Sequence, residues 1–296
     1  MTPSFPRAAL AGLTALAFAF AASASAENLS EGPFDTSRVV AVGGSITEIV
    51  YGLGEEDHLI ARDSTSVYPP EALDLPDIGY MRALSPEGVL SVDPSVIIAL
   101  EGSGPPEALE VLEKASVPMV TVPDRFDGEG ILEKIRIVGD VLGEPDKAAA
   151  YAAQVKAELD GAVAATASIS ERKTVLFVLS LQGGRILASG TDSAANGIIA
   201  MAGGLNAVTG YSGYKQLTDE AVIEAAPDVI LAMDRGGDHE TQVDELLDHP
   251  AIAATPAGRN RAVVRMDGAF LLGFGPRTAA AARELAVALY GDAVAH

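Results

Sequence analysis

The chain of 296 residues contains no cysteine. An oxidising compartment is therefore open to it without any disulfide framework, stability must come from packing, and a lipid-anchored cysteine is excluded. Basic residues are scarce, 20 Lys and Arg against 41 Asp and Glu for a formal charge of -21. That balance argues against nucleic acid or an anionic lipid surface as partner. Histidine is equally sparse. The four, His58, His239, His249 and His296, are scattered and form no HExxH-type cluster, which speaks against a zinc site of several imidazoles. Neither a phosphate-binding GxxxxGK[ST] loop nor a nucleophile elbow occurs, and Gly43-Gly44-Ser45 lacks the spacing of a dinucleotide fingerprint. An exported hydrolase or transferase therefore has little to recommend it, and the chain reads as a non-enzyme.

What is present begins with a targeting segment. Arg7 precedes an apolar run from Ala8 to Ala22, followed by Ala24-Ser25-Ala26 ahead of Glu27. This predicts a secretory signal over residues 1–26, because the run is shorter than the ~20 residues a membrane span needs. No second such run follows, so a soluble, freely diffusing periplasmic protein is expected.

The remainder alternates short β-branched runs with helical stretches, which predicts an α/β protein with parallel sheets. Arg38 to Val42, Val96 to Ala99 and Val117 to Thr121 read as strands of a first lobe over residues 27–129. An Ala-, Glu- and Lys-rich stretch over 130–170, interrupted at Gly143-Glu144-Pro145, reads as a long connecting helix. A second lobe over 171–296 repeats the pattern from Thr174 onward. Part of the repetition is legible residue by residue: LSPEGVLSVDPSVII (Leu84 to Ile98) aligns without gaps on LTDEAVIEAAPDVIL (Leu217 to Leu231), each copy preceded by a Gly-Tyr pair. An internal duplication explains this, and two Rossmann-like lobes facing each other create a cleft suited to a ligand.

The segment Asp63-Ser64-Thr65-Ser66-Val67-Tyr68-Pro69-Pro70 follows the short strand Leu59 to Ala61, at a strand's carboxyl end where open α/β sheets bind ligands. Prolines after Tyr68 stiffen the loop, which presents one phenol. Phenolate is a hard oxygen donor suited to ferric iron, and tyrosine is an axial ligand of some haems. On these residues alone, a loop tyrosine capping a core edge is the stronger of the two readings.

The run from Asp63 to Ile98, with its SVYPP and GYMRALSPEG strings, resembles the haem-binding branch of the periplasmic substrate-binding proteins for iron complexes and cobalamin. The pieces VLFVLS, ASGTDSAANGIIAMAGGLNAV and DVILAMDRG are similar to that branch as well. The resemblance implies two α/β lobes joined by a long helix and a ferric haem gripped between them as cargo. It implies Tyr68 as the iron ligand and Arg235, from the opposite lobe, as its hydrogen-bond partner or a propionate contact. A guanidinium beside a phenol favours the ionised form. Tyr80, Met81, Arg82 and Tyr214 are secondary cleft candidates. Pro70 stands where some relatives have a basic residue, and Gln182 near where others have a histidine, which implies iron held by one side chain. Glu87 and Glu220, equivalent in the duplication, would dock a monomeric protein onto a two-fold ABC permease, although each also suits the first turn of its helix. The same architecture binding cobalamin or a ferric siderophore is the alternative.

Overall fold

The computed structural model describes residues 34–234 and 243–294. The expected signal segment, Arg235 and His239 lie outside the described residues. In the first lobe, β1 (Val39–Val42), α1 (Gly44–Leu53), β2 (Leu59–Arg62), α2 (Pro86–Leu90), β3 (Val96–Leu100), α3 (Pro106–Lys114) and β4 (Met119–Val122) follow in order. Their strands form one sheet in the order β2-β1-β3-β4, every pair parallel. Helices cover a parallel sheet on both faces, which is why VVAV and VIIAL are continuous apolar runs with every residue buried.

The Ala-rich stretch forms two helices, α4 (Gly128–Leu142) and α5 (Pro145–Ala165), that pack on each other. The break falls at the expected interruption, Gly143-Glu144-Pro145, and separates α4 from the longer α5. Asp127 caps α4, its carboxylate accepting from the Gly130 N–H at 2.6 Å, and Gly143 ends it at a left-handed φ of 76°. Pro145 then suits only the first turn of a new helix. The 21-residue α5 is the long element that contacts both halves, packing on α1 as well as on the C-terminal helix.

The second lobe contains β5 (Thr174–Gln182), β6 (Arg185–Ser189), α6 (Ala194–Met201), β7 (Leu205–Asn206), β8 (Tyr214–Leu217), α7 (Asp219–Ala225) and β9 (Val229–Asp234). After it come the short helices α8 (Val243–Asp248), α9 (Pro250–Ala253) and α10 (Pro256–Arg259), then β10 (Val263–Asp267), α11 (Gly268–Leu272) and α12 (Thr278–Tyr290). The sheet order is β10-β9-β5-β6-β8. Strands β10, β9 and β5 run parallel, but β5-β6 and β6-β8 are antiparallel, so this sheet is mixed rather than parallel as expected. The cause is local. Gly183 and Gly184, both at positive φ (56° and 73°), make the two-residue turn of a β5-β6 hairpin.

The duplicated segments occupy matching places: α2 leads to β3 as α7 leads to β9. One buried apolar cluster runs from Val39 in the first sheet through Ile131 and Val155 of the helical pair to Phe274 and Leu285. The two lobes therefore share a core along α4 and α5.

Candidate functional site

The loop after β2 is built around a buried carboxylate. Asp63, 0 % exposed, accepts on one oxygen from the Gly43 N–H (2.9 Å) and the Ser66 hydroxyl (2.8 Å). Its other oxygen accepts from the Thr65 N–H (3.0 Å) and the Thr65 hydroxyl (2.7 Å). Thr47 of α1 donates to Ser66 at 2.7 Å, and Ser64 N–H donates to the Gly79 carbonyl at 2.9 Å. Arg62 ties the base down, donating to the Ala72 and Asp63 carbonyls and pairing with Asp77 at 2.8 Å. These partners hold the backbone immediately before Tyr68, whose peptide bond to Pro69 is cis. Tyr68 itself is 43 % exposed. The polar residues of the DSTS run are thus spent on fixing the loop, and the phenol is what it presents.

Tyr68 lines an open cavity of about 420 Å3, within the range of small-molecule sites. Its other walls include Glu48 and Tyr51 of α1, Tyr151 and Glu158 of α5, and Arg277 just ahead of α12. The Arg277 guanidinium carbon lies 3.8 Å from the centre of the Tyr68 ring and 5.2 Å from that of Phe270. Its Nη2 donates to Glu48 Oε1 at 2.6 Å. Burial pushes the Glu48 carboxyl above the usual carboxylate range, an effect the Arg277 hydrogen bond partly offsets. The Tyr151 phenol is pushed up to about 12, first by burial and then by the charges of Glu48 and Glu158. It is a neutral hydrogen-bond donor at physiological pH.

The segment carrying Arg277 is fastened to the helices opposite it. The fully buried Lys134 of α4 donates to the Phe274 carbonyl at 3.1 Å and pairs with Asp124 at 2.5 Å. Gly275 lies so near α1 that an added Cβ would come 3.2 Å from the Ser45 Cβ and 3.3 Å from a Glu48 carboxylate oxygen.

None of the other described sequence candidates lines this cavity. Tyr80 is 47 % exposed and Arg82 is exposed. Met81 is 8 % exposed, with its sulfur 3.9 Å from the Thr65 hydroxyl, so it packs beneath the loop instead of facing the cleft. Tyr214 is half-buried in the second lobe, its ring 6.2 Å from Phe177. Burial raises its phenol, hydrogen bonds to the Ala195 backbone and Ser193 oppose this, and the charge of Arg82 from the first lobe reaches it. Gln182 is exposed at the tip of the β5-β6 hairpin. Glu87 and Glu220 are both exposed in the first turns of α2 and α7, behind the N-caps Ser85 and Thr218. Hydrogen bonds from its own backbone N–H and from the cap hydroxyl hold each carboxyl below the usual range.

Five of the cavity residues named above were not singled out from the sequence: Arg277, Glu48, Tyr51, Tyr151 and Glu158. Arg277 had one local signal, the Gly-Phe-Gly-Pro-Arg string immediately before a helix. Glu48 and Tyr151 had none, being one polar position each on helices that read as ordinary packing elements.

Two α/β lobes sharing a core, with a fixed loop presenting a phenol over a cavity, define a ligand-binding protein of the two-lobed substrate-binding class. The chain belongs to a known family of that class: the model described as "Periplasmic binding protein" matches residues 39–269. Members are binding proteins rather than enzymes, and so is this chain. It is similar in structure to the periplasmic haem-binding protein RhuT from Roseiflexus sp. RS-1 in apo form, with 40% identity and a TM-score of 0.82 over 87% of this chain and 99% of that one. Similarity to the periplasmic haem-binding protein BhuT in complex with two haems is 39% with the same TM-score, 0.82, and the same coverage, 87% and 99%. Among curated proteins it is 27% identical over 87% of its length, and 81% of the other, to the uncharacterised ABC transporter substrate-binding lipoprotein YvrC of Bacillus subtilis. It is 26% identical to the vitamin B12-binding protein of Vibrio campbellii, over 73% of this chain and 77% of that one. Among the described residues, no helix is long and apolar enough to cross a membrane.

Proposed function

We propose that the protein captures ferric haem in the periplasm, with Tyr68 as the iron ligand, and delivers it to a two-fold ABC permease. The observation that carries this reading is the phenol itself. Asp63 and its four donors fix the loop, and Tyr68 is left exposed at a cavity of about 420 Å3. A pocket for a metal whose coordination is already complete has no use for such a donor, whereas ferric haem has an open axial position for it. The solved structures of haem-binding proteins at 39% and 40% identity support the same cargo.

In this reading Arg235 from the second lobe hydrogen-bonds the phenolate or a haem propionate, the exposed Tyr80 and Arg82 with Tyr214 of the second lobe line the cleft, and Met81 supports the loop from below. Glu87 and Glu220 carry the delivery step. They sit at equivalent places in the duplicated α2 and α7, remain ionised, and offer paired charges to a symmetric basic partner. The protein works as a monomer after removal of residues 1–26. The vitamin B12-binding relative favours a second reading, the same cleft holding a corrinoid. Adding ferric haem to the purified protein separates the two. A high-spin tyrosinate-type spectrum that Tyr68→Ala abolishes supports haem capture, and no Soret change with haem, together with tight cobalamin binding, would replace it.

A further inference from the structure

We propose that Arg277, tethered by Glu48, is the positioning residue for Tyr68: from the opposite lobe it holds the phenol ring by its face and supplies the positive charge felt by the ligating oxygen. This inference rests on the reading of Tyr68 as the iron ligand and adds to it the pair that controls that ligand.

The geometry is that of a braced side chain. A planar guanidinium has an edge that donates hydrogen bonds and a face that stacks. Arg277 commits part of its edge to Glu48, at 2.6 Å, and its face to the Tyr68 ring, at 3.8 Å. Its Nε is buried without a hydrogen-bond partner among the described residues, so the group is not arranged for the greatest number of ion-pair contacts. Phe270, 5.2 Å away, adds a further aromatic contact. Glu48 is 10 % exposed along its side chain, which keeps the tether out of bulk solvent and short of free rotation. The backbone around Arg277 is held independently, through Lys134 on the Phe274 carbonyl and through the close approach of Gly275 to α1. Tyr68 cannot shift without losing a contact that both lobes fix.

Charge supports the same assignment. Among the described residues lining the cavity, Arg277 is the one cation, against Glu48 and Glu158 and the phenols Tyr51 and Tyr151. A phenolate that binds iron carries negative charge into this acidic lining, and the guanidinium against its ring is what offsets it. Glu48 tunes that offset, since a carboxylate paired to Arg277 withdraws part of its field from Tyr68.

The test uses the intact protein loaded with ferric haem at one fixed pH. The readouts are the rate of haem transfer to an excess of a haem-scavenging protein and the energy of the phenolate-to-iron charge-transfer band. Arg277→Met keeps the side-chain bulk and removes the charge. Haem loss should accelerate about tenfold, the scale of a partly desolvated cation–aromatic contact, and the band should move to lower energy because the phenolate becomes a better donor. Arg277→Lys should recover part of both changes. Glu48→Gln retains an acceptor for the guanidinium but removes the opposing charge, so the band should move to higher energy. Opposite band shifts in the two variants are a signature that general loosening of the site does not produce. Shifts in the same direction, or no shift in either, would overturn the inference. If Arg277→Met does not fold, Arg277→Lys and Glu48→Gln carry the test by the same band shifts. Tyr68→Phe, run alongside, separates the two levels. If it leaves the loaded spectrum unchanged, the ligand assignment fails and this inference with it; if it removes the tyrosinate spectrum while the Arg277 variants match wild type, the inference alone fails.

Discussion

Gly275 of the second lobe rests directly against Ser45 of α1, close enough that a Cβ at 275 would stand 3.2 Å from the Ser45 Cβ. This contact lies two residues from Arg277 and three from Glu48, so the lobes meet at the cation and carboxylate that frame Tyr68. The cavity is therefore shaped by the lobe junction itself, whose apolar core continues through α4 and α5. A binding site of this kind suits a rigid flat cargo better than one that must be swallowed by a large hinge motion.

Substitutions at Gly275 test that junction. A single added methyl meets Ser45 and a Glu48 oxygen at 3.2 and 3.3 Å, which neighbours can accommodate with small shifts. A branched side chain cannot be placed so easily, and overpacking costs about 1–3 kcal/mol. Gly275→Val should lower stability to urea by that amount and Gly275→Ala by clearly less. Equal stability of the two would show that the contact is loose.

Asp63 is the second place where stability and binding are linked. Four donors converge on a carboxylate with no exposure. Removing it leaves buried donors unsatisfied at roughly 1–3 kcal/mol each where no water replaces it. Asp63→Ala should destabilise the protein by on the order of 3–5 kcal/mol. Asp63→Asn, which keeps one acceptor oxygen, should cost less yet still weaken haem binding, because the loop carrying Tyr68 loses half its anchors. Titration with haem alongside urea unfolding separates the two effects.

Charge reversal at the duplicated glutamates addresses delivery rather than capture. Glu87 and Glu220 are exposed and line no part of the cavity beside Tyr68, so Glu87→Lys and Glu220→Lys should leave haem affinity and the spectrum unchanged. Each should reduce haem-stimulated ATPase activity of the cognate permease in vesicles, and the double variant should abolish it. Full stimulation by the double variant would remove these residues from the docking surface.

The parts of the molecule legible in the sequence are those set by local rules. The first lobe's strands were visible because strands buried on both faces must be continuous apolar runs. The matching places of Glu87 and Glu220 in the first turns of α2 and α7 were visible because the duplication repeats them. The exposed phenol was visible because two prolines and a polar turn surround it. The antiparallel half of the second sheet was missed although Gly183-Gly184 signals a hairpin, since the alternating pattern elsewhere favoured parallel crossovers. The break between α4 and α5 was read as an interruption, because nothing local says whether a helix resumes in line or packs back. Arg277 and Glu48 lie 229 residues apart and meet only through the lobe junction. No spacing rule links such a pair; Arg235, the guanidinium that the family resemblance implies, lies outside the described residues.

The alkaline limit of stability tests the cavity wall from a direction that needs no ligand. Tyr151 has its phenol pushed from an ordinary value of 10.0 up to about 12, with burial the largest cause and the charges of Glu48 and Glu158 next. Between these two values the unfolded chain releases a proton that the folded chain keeps. Stability must then fall as pH rises above 10, and this contribution levels off only once the folded phenol also ionises. Tyr51, Tyr211 and Tyr214 are raised in the same direction, so the wild-type decline is a sum over several phenols. Tyr151→Phe removes one term and should make stability measurably less steep in pH between about 10 and 12, while leaving the neutral-pH fold intact because the ring still packs beside Gly52. Urea unfolding of both proteins across that range is the measurement. An identical slope in the variant would mean that the Tyr151 hydroxyl is open to water, and that the cavity floor next to Tyr68 is wetter than its lining of α1 and α5 residues requires.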